Sequence, residues 1–342
     1  PGTASEPLVV EHRDCVSCQL VRRDVLPRYQ QALAAELPIR FVDIAEAGNE
    51  APGLRRKVDT LPTAVLMLRG REIDRIDESM HGLLMERGEI IDRLISVKQT
   101  QETGSAFRPA REAEMMRRLV DRHRGILPLD TAESIWRVII STFTYVQAPF
   151  SVHADLSAGD ASMRDSARFH FGFTVPFVAH MGAASVVAAV SDSKGDLGLV
   201  TAFTTAGAGP WWSALEFDSA PKIIARLPFL ERADHPAGLP VFAIARPHPD
   251  AVVTDVEMWS IKVSGWGPKP AQALASYAEA IAVPDGAFDG AALLISLPRE
   301  RNLADAIETL VKGGASVRSQ ALVGSHARRY TVGADGTVST DR

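Results

Sequence analysis

From Ile73 onward the apolar residues return at spacings of three and four: Ile73, Ile76, Met80, Leu83, Leu84, Ile90, Ile91, Leu94 and Ile95. That period predicts one long helix, weakened but not broken by Gly82 and Gly88. A second helix opens at Arg108-Pro109-Ala110-Arg111-Glu112, where proline suits a first turn. It carries Met115, Met116, Leu119 and Val120 and stops before Gly125. A third starts at Asp130 or Thr131, with Glu133 spaced to close a capping box. Its expected buried face is Ile135, Trp136, Ile139, Ile140, Phe143 and Val146, and Pro149 ends it.

Both flanks of this helical block read differently. Upstream, Leu8–His12, Ile39–Ile44 and Leu61–Leu68 are short apolar runs that predict strands. Cys15-Val-Ser-Cys18 opens a helical stretch toward Leu37. Downstream, Phe169–Val175, Ser185–Val190 and Leu197–Val200 are expected as short buried elements between turns, and Pro221–Ala225, Leu239–Ala245, Val256–Val263 and Ala291–Leu297 as strands. Asn302–Val311 reads as a helix. Mixed elements of this kind predict an α/β or α+β domain. Trp211-Trp212 has two readings, the lining of a ligand cleft or a loop anchor. His170 and His180 read as ordinary histidines of the core or surface.

Charge sharpens the division. Of the 54 residues from 71 to 124, 22 are charged, eleven of each sign, whereas 23% of the whole 342-residue chain is charged. Dense mixed charge around periodic Ile, Leu and Met is the composition of packed helices. The expected domains are therefore residues 1–70, 71–150 and 151–342. An apolar content of 46% excludes a disordered chain. The formal net charge of −5 argues against a nucleic-acid partner. No apolar run reaches the ~20 residues of a membrane span and no signal-peptide pattern opens the sequence, so a cytoplasmic protein without a membrane partner is expected. Two cysteines are too few for a disulfide framework.

Candidate chemistry comes from cations out of place. Arg87 lies fourteen residues after Ile73 and Lys98 eleven after Arg87, about four and three turns, so both fall on the apolar stripe. A lone arginine there would snorkel to water; two cations on one stripe point to an anion pocket. Gln147, seven residues after Ile140, also faces inward and needs partners.

Taken in order, Arg71-Glu-Ile-Asp-Arg-Ile-Asp77, Leu83-Leu84-Met-Glu-Arg87, Lys98, Arg108-Pro-Ala-Arg-Glu112, Ile135-Trp-Arg-Val-Ile-Ile140 and Gln147 resemble the all-helical AroQ-type chorismate mutases over roughly residues 69–149. The resemblance implies a three-helix domain that dimerises through its first helix and converts chorismate to prephenate by an intramolecular rearrangement. It implies no cofactor and no metal. It would make Arg87 the clamp on a substrate carboxylate, and Lys98 and Gln147 the donors to the ether oxygen where negative charge grows. Glu112 would hold the substrate hydroxyl and Arg111 orient the site. The family's partner-donated arginine, three residues before Ile73, is Gly70 here. At 100° per residue Arg69 lies about 40° from Ile73 on a helix and Arg71 about 200°, so Arg69 is the expected trans-subunit substitute.

The first seventy residues resemble an incomplete thioredoxin-like domain. The resemblance would make Cys15 the nucleophile, its thiol acidified by a helix N-terminus, with Cys18 the resolving thiol and Pro62 the facing cis-proline. Residues 71–77 would then be claimed by two structures at once, a thioredoxin edge strand and the mutase helix. Gly182–Val190 with Lys194–Val200 faintly resembles prephenate dehydratase, although that family's Thr-Arg-Phe motif has no counterpart nearer than Gly238–Phe242; a non-catalytic or regulatory relative is expected. The expected fold is thus multidomain α and α/β: a thioredoxin-like N-terminal fragment, a three-helix AroQ-type domain and a C-terminal α/β domain. Three functions stand open: a chorismate mutase of phenylalanine and tyrosine biosynthesis, a thiol–disulfide oxidoreductase, and a non-catalytic metabolite-binding protein.

Overall fold

The computed structural model describes residues 5–28, 39–43, 61, 63–68, 71–98, 107–204, 209–233, 235–247, 255–285, 289–333 and 337–340. Two compact units result, Pro1–Ile91 and Asp92–Arg342.

In the first unit, strand β1 (Ser5–Glu11) is followed by a short helix α1 (Val16–Leu20) that continues through a π-turn at Val21–Val25. Strands β2 (Arg40–Asp43), β3 (Thr63–Leu68) and β4 (Arg71–Glu72) complete a sheet of order β2-β1-β3-β4, parallel between β1 and β2 and antiparallel elsewhere. Leu8, Val9 and Val10 bury the middle of β1. Helix α2 (Ile73–Lys98) starts directly after β4. The double claim on residues 71–77 resolves here, because Arg71 and Glu72 pair with Leu68 and Met67 and the helix takes over at Ile73. The boundary between the two units falls within α2.

The second unit continues with α3 (Pro109–Arg122) and α4 (Leu129–Gln147). Then come β5 (Val152–Asp155), α5 (Asp160–Phe171), β6 (Phe177–His180), α6 (Ala183–Asp192) and β7 (Leu197–Thr201). After a 3-10 turn at Trp211–Leu215 follow β8 (Lys222–Leu227), β9 (Leu230–Arg232) and β10 (Val241–Ala245). The last stretch holds β11 (Val256–Ser264), α7 (Pro268–Ala275), β12 (Glu279–Pro284), β13 (Ala291–Pro298), α8 (Leu303–Lys312), β14 (Ser316–His326), β15 (Tyr330–Val332) and β16 (Val338–Thr340).

Nine strands form one sheet in the order β12-β13-β11-β14-β8-β10-β7-β5-β6, and β16-β15-β9 form a small second one. The large sheet has two halves. Strands β5, β6 and β7 are parallel, as crossover helices α5 and α6 require, and β10 and β8 extend them antiparallel. Strands β11 to β14 with α7 and α8 make an antiparallel β-α-β-β-α-β subdomain. The halves meet where β14 runs beside β8 in the register pair Gly324–Ile223. Gly324 has φ +145°, and a Cβ there would collide with the backbone of Ile223, so glycine is required. Gly198 in β7 answers a similar demand, since a Cβ would lie 2.6 Å from Val186 and 2.7 Å from Ile244.

Several expectations are corrected. Phe169–Val175 is not a separate element between turns, because Phe169, His170 and Phe171 end α5, which buries Met163, Ser166, Ala167, His170 and Phe171 at helical spacing. Ser185–Val190 lies inside α6. Trp212 is an anchor, buried with Leu215 among Val186, Val187 and Phe242. The buried face of α4 is also not the expected one. Ile140 is buried, but Ile135 and Val146 are exposed, and the inward positions are Ala132, Glu133, Arg137, Ser141 and Thr144. The capping box fails as well, because α4 begins at Leu129 and Glu133 turns into the core.

Candidate functional site

Proline at the start of α3 fixes the first turn and places Arg111 and Glu112 on opposite sides: Arg111 is exposed and Glu112 is buried. The partner of Glu112 comes from α4, where Arg137 Nη1 donates to Glu112 Oε2 at 3.1 Å. One turn earlier on α4, Glu133 Oε1 stands 3.5 Å from Arg137 Nε, while its Oε2 accepts from the backbone N–H of Leu230 at 3.2 Å. One guanidinium thus lies between two buried carboxylates. The Phe229 ring lies 5.8 Å from the Arg137 guanidinium carbon.

Burial dominates the electrostatics here. It pushes both Glu112 and Glu133 up to about 7, against the lowering pull of Arg137. Arg137 compensates one carboxylate charge and a second would be left uncompensated, so near neutrality both carboxyls are partly protonated. His170 closes the same cavity and is held neutral, its pKa well below the ordinary value through burial and then through Arg137 and His235. Both its ring nitrogens lack a hydrogen-bond partner among the described residues. Ser141 Oγ donates to the His170 carbonyl at 2.9 Å. Phe107, Phe171, Ile224, Leu227 and Phe229 wall a space of about 30 Å³, room for one or two waters.

The remaining sequence candidates are placed as follows. Arg87 is half-buried on α2 within the first unit. Lys98 is the last residue of α2, with its side chain outside the described set. Gln147 is half-buried at the end of α4, and its Nε2 donates to the Phe143 carbonyl one turn back at 3.0 Å. Arg69, Gly70 and Pro62 lie outside the described residues. Cys15 and Cys18 are joined as a disulfide, and Cys15 caps α1 by accepting the Cys18 N–H on Sγ at 3.2 Å. His180 belongs to a chain in which His153 stands between it, at 2.8 Å, and Asp196, at 3.1 Å. Among the described residues no group of three or more His, Cys, Asp or Glu is placed to hold a metal ion.

Sequence reasoning gives Arg137 no role of its own and places Glu133 in a capping box, while His170, expected in the core or at the surface, is buried. The signal was present as the 4-4-3 spacing of Glu133, Arg137, Ser141 and Thr144, a polar stripe at helical period. The apolar stripe of the same helix competes with it, and hydrophobicity alone points to the apolar one as the buried face.

Comparison with known proteins bears on the helical segment. A bifunctional chorismate mutase/prephenate dehydratase of Neisseria gonorrhoeae is 30% identical over 100 residues, 29% of this chain and 26% of that protein. The chain therefore spans about a quarter of the length of this curated relative. Among solved structures, a prephenate dehydratase from Streptococcus mutans aligns with 52% of this chain and 96% of its own at 10% identity and a TM-score of 0.33. GqqA, described as a novel type of quorum quenching acylase, aligns with 52% of this chain and 94% of its own at 14% identity and a TM-score of 0.34. The reduced periplasmic thioredoxin SoxS of Paracoccus pantotrophus covers 20% of this chain and 73% of its own at 25% identity and a TM-score of 0.18. Residues 70–148 match the family model of chorismate mutase type II, the family that the ordered residues from Arg71 to Gln147 resemble.

Proposed function

We propose that this chain is a chorismate mutase, an isomerase that rearranges chorismate to prephenate in aromatic amino-acid biosynthesis. The observation that carries this reading is the family match over residues 70–148, which holds every proposed mutase residue except Arg69. The rearrangement is intramolecular, so the protein's task is to hold the substrate folded and to stabilise charge on the ether oxygen. Arg87 clamps a carboxylate, Lys98 and Gln147 donate to the ether oxygen, Glu112 takes the substrate hydroxyl, and Arg111 orients the site. Arg69 reaches the site of a second copy in a homodimer built on α2. The domain division at residues 70 and 150 and a cytoplasmic location go with this reading; among the described residues no helix is long and apolar enough to cross a membrane. Lys98→Ala should lower chorismate consumption by at least about a hundredfold while the circular dichroism spectrum is unchanged. An unchanged rate would reject the assignment.

A second reading concerns the first unit. The Cys15–Cys18 disulfide at a helix start supports a thiol–disulfide exchange role for a thioredoxin-like segment, with Cys15 attacking and Cys18 resolving. Insulin reduction by the dithiothreitol-primed protein, abolished in Cys15→Ser, is the expected result; equal rates in both proteins would remove it.

A further inference from the structure

A pocket of about 90 Å³ opens at one end of the β-α-β-β-α-β subdomain. It lies where β11 and β12 begin and β13 and β14 end, so that chain ends from four strands converge with Arg226 of the neighbouring β8. Its lining includes Arg226, Arg301, Arg328, Arg329 and His326, with Glu279 as the one carboxylate among the lining residues. Three of the four arginines are paired: Arg226 to Glu279 through two bonds of 2.6 and 2.8 Å, Arg329 to Glu231 at 2.9 Å, and Arg328 to Glu300. Arg301 instead lies over the Tyr277 ring, 5.2 Å from its centre, and no carboxylate among the described residues pairs with it. The rim thus carries one positive charge in excess of its carboxylates.

His326 adds a second, independent demand. It is only 3% exposed. Its Nδ1 lies 2.8 Å from the Ala327 carbonyl and must donate to it, which leaves Nε2 as a bare acceptor. No donor among the described residues reaches that Nε2. Burial holds the ring neutral, with its pKa lowered to about 4. A buried acceptor without a donor is costly unless a bound group satisfies it.

We propose that this pocket binds an organic acid that carries a hydroxyl group beside its carboxylate. The carboxylate takes the surplus charge at Arg301, with Arg328 beside it, and the hydroxyl donates to His326 Nε2. An ammonium group could also donate, but it would add positive charge to a rim that already has too much. Water occupies about 30 Å³ in the liquid, so the space takes several waters or the head of a small acid.

Isothermal titration calorimetry on the full chain, with glycolate, glycine and acetate as probes, tests this without reading mutase turnover. Glycolate should bind with a dissociation constant below about 10 mM, and glycine and acetate at least about tenfold more weakly, the size of one lost hydrogen bond to a buried group. Arg301 is exposed, so Arg301→Ala keeps the fold while weakening glycolate about tenfold or more; Arg328→Gln, at a half-buried position, should weaken it in the same direction. Acetate binding as tightly as glycolate would overturn the role of His326, and glycine matching glycolate would overturn the hydroxyl assignment. No binding of any probe, or variants with unchanged affinity, would overturn the site.

Discussion

Arg137 serves two carboxylates with one guanidinium, and the consequence can be measured at Glu133. Burial raises this carboxyl from 4.5 to about 7, so the folded chain keeps a proton that the unfolded chain releases between those values. The native state binds more protons in that window, and the stability owed to Glu133 therefore falls as pH rises from about 4.5 through 7. Glutamine copies the protonated form and cannot ionise. Glu133→Gln and the wild type should melt alike at pH 5, while at pH 8 the variant should be more stable by roughly 1–3 kcal/mol. Both proteins carry the other titratable groups near Arg137, namely Glu112, His170 and His235, so the difference between them reports the loss of the Glu133 carboxyl. Thermal melts at the two pH values decide it, and a pH-independent difference would reject a protonated Glu133 in the folded chain. At this scale the motif singles out Glu112 but not its pairing with Arg137, which joins residues 25 apart on two helices. The burial of His170 was not legible, because a histidine between two phenylalanines gives no sign of which way a helix will turn it.

Helix α2 shows how an element can be read correctly and still be incomplete. Its length follows from the apolar period, yet Met80, Leu83, Leu84 and Ile90 remain exposed along one side of it. Burying one leucine is worth about 1.5–3 kcal/mol, so a row of them on a single chain is a stripe awaiting a surface. Under the proposed dimer, Leu83→Glu should shift the protein to a monomer in sedimentation velocity, and an unchanged sedimentation coefficient would argue against α2 as the interface. In α4 the two stripes compete: Ile135 and Val146 face out while Glu133 and Arg137 face in. Hydrophobic period names two faces of a helix but not which neighbour each will meet. Helix α5 was hidden for a different reason, since Ser166, Ala167 and His170 occupy buried positions where larger apolar side chains would have declared the period.

For the whole molecule, the change of composition near residue 71 marks the start of the helical block, and the structure begins α2 two residues later. The strands Leu197–Val200, Leu239–Ala245, Val256–Val263 and Ala291–Leu297 were legible as apolar runs and appear as β7, β10, β11 and β13. Their order was not, because sheet neighbours are chosen by contacts distant in sequence, and nothing local announces that β14 will lie beside β8. Nor did the sequence reveal that nine strands of the C-terminal part would join in one sheet. Gly324, where its two halves touch, makes that continuity unusually exposed to mutation. Every other amino acid except glycine carries a Cβ, so any codon change that alters this residue drives an atom into Ile223. The joint between the two halves therefore hangs on one codon, kept or lost with the glycine that it encodes.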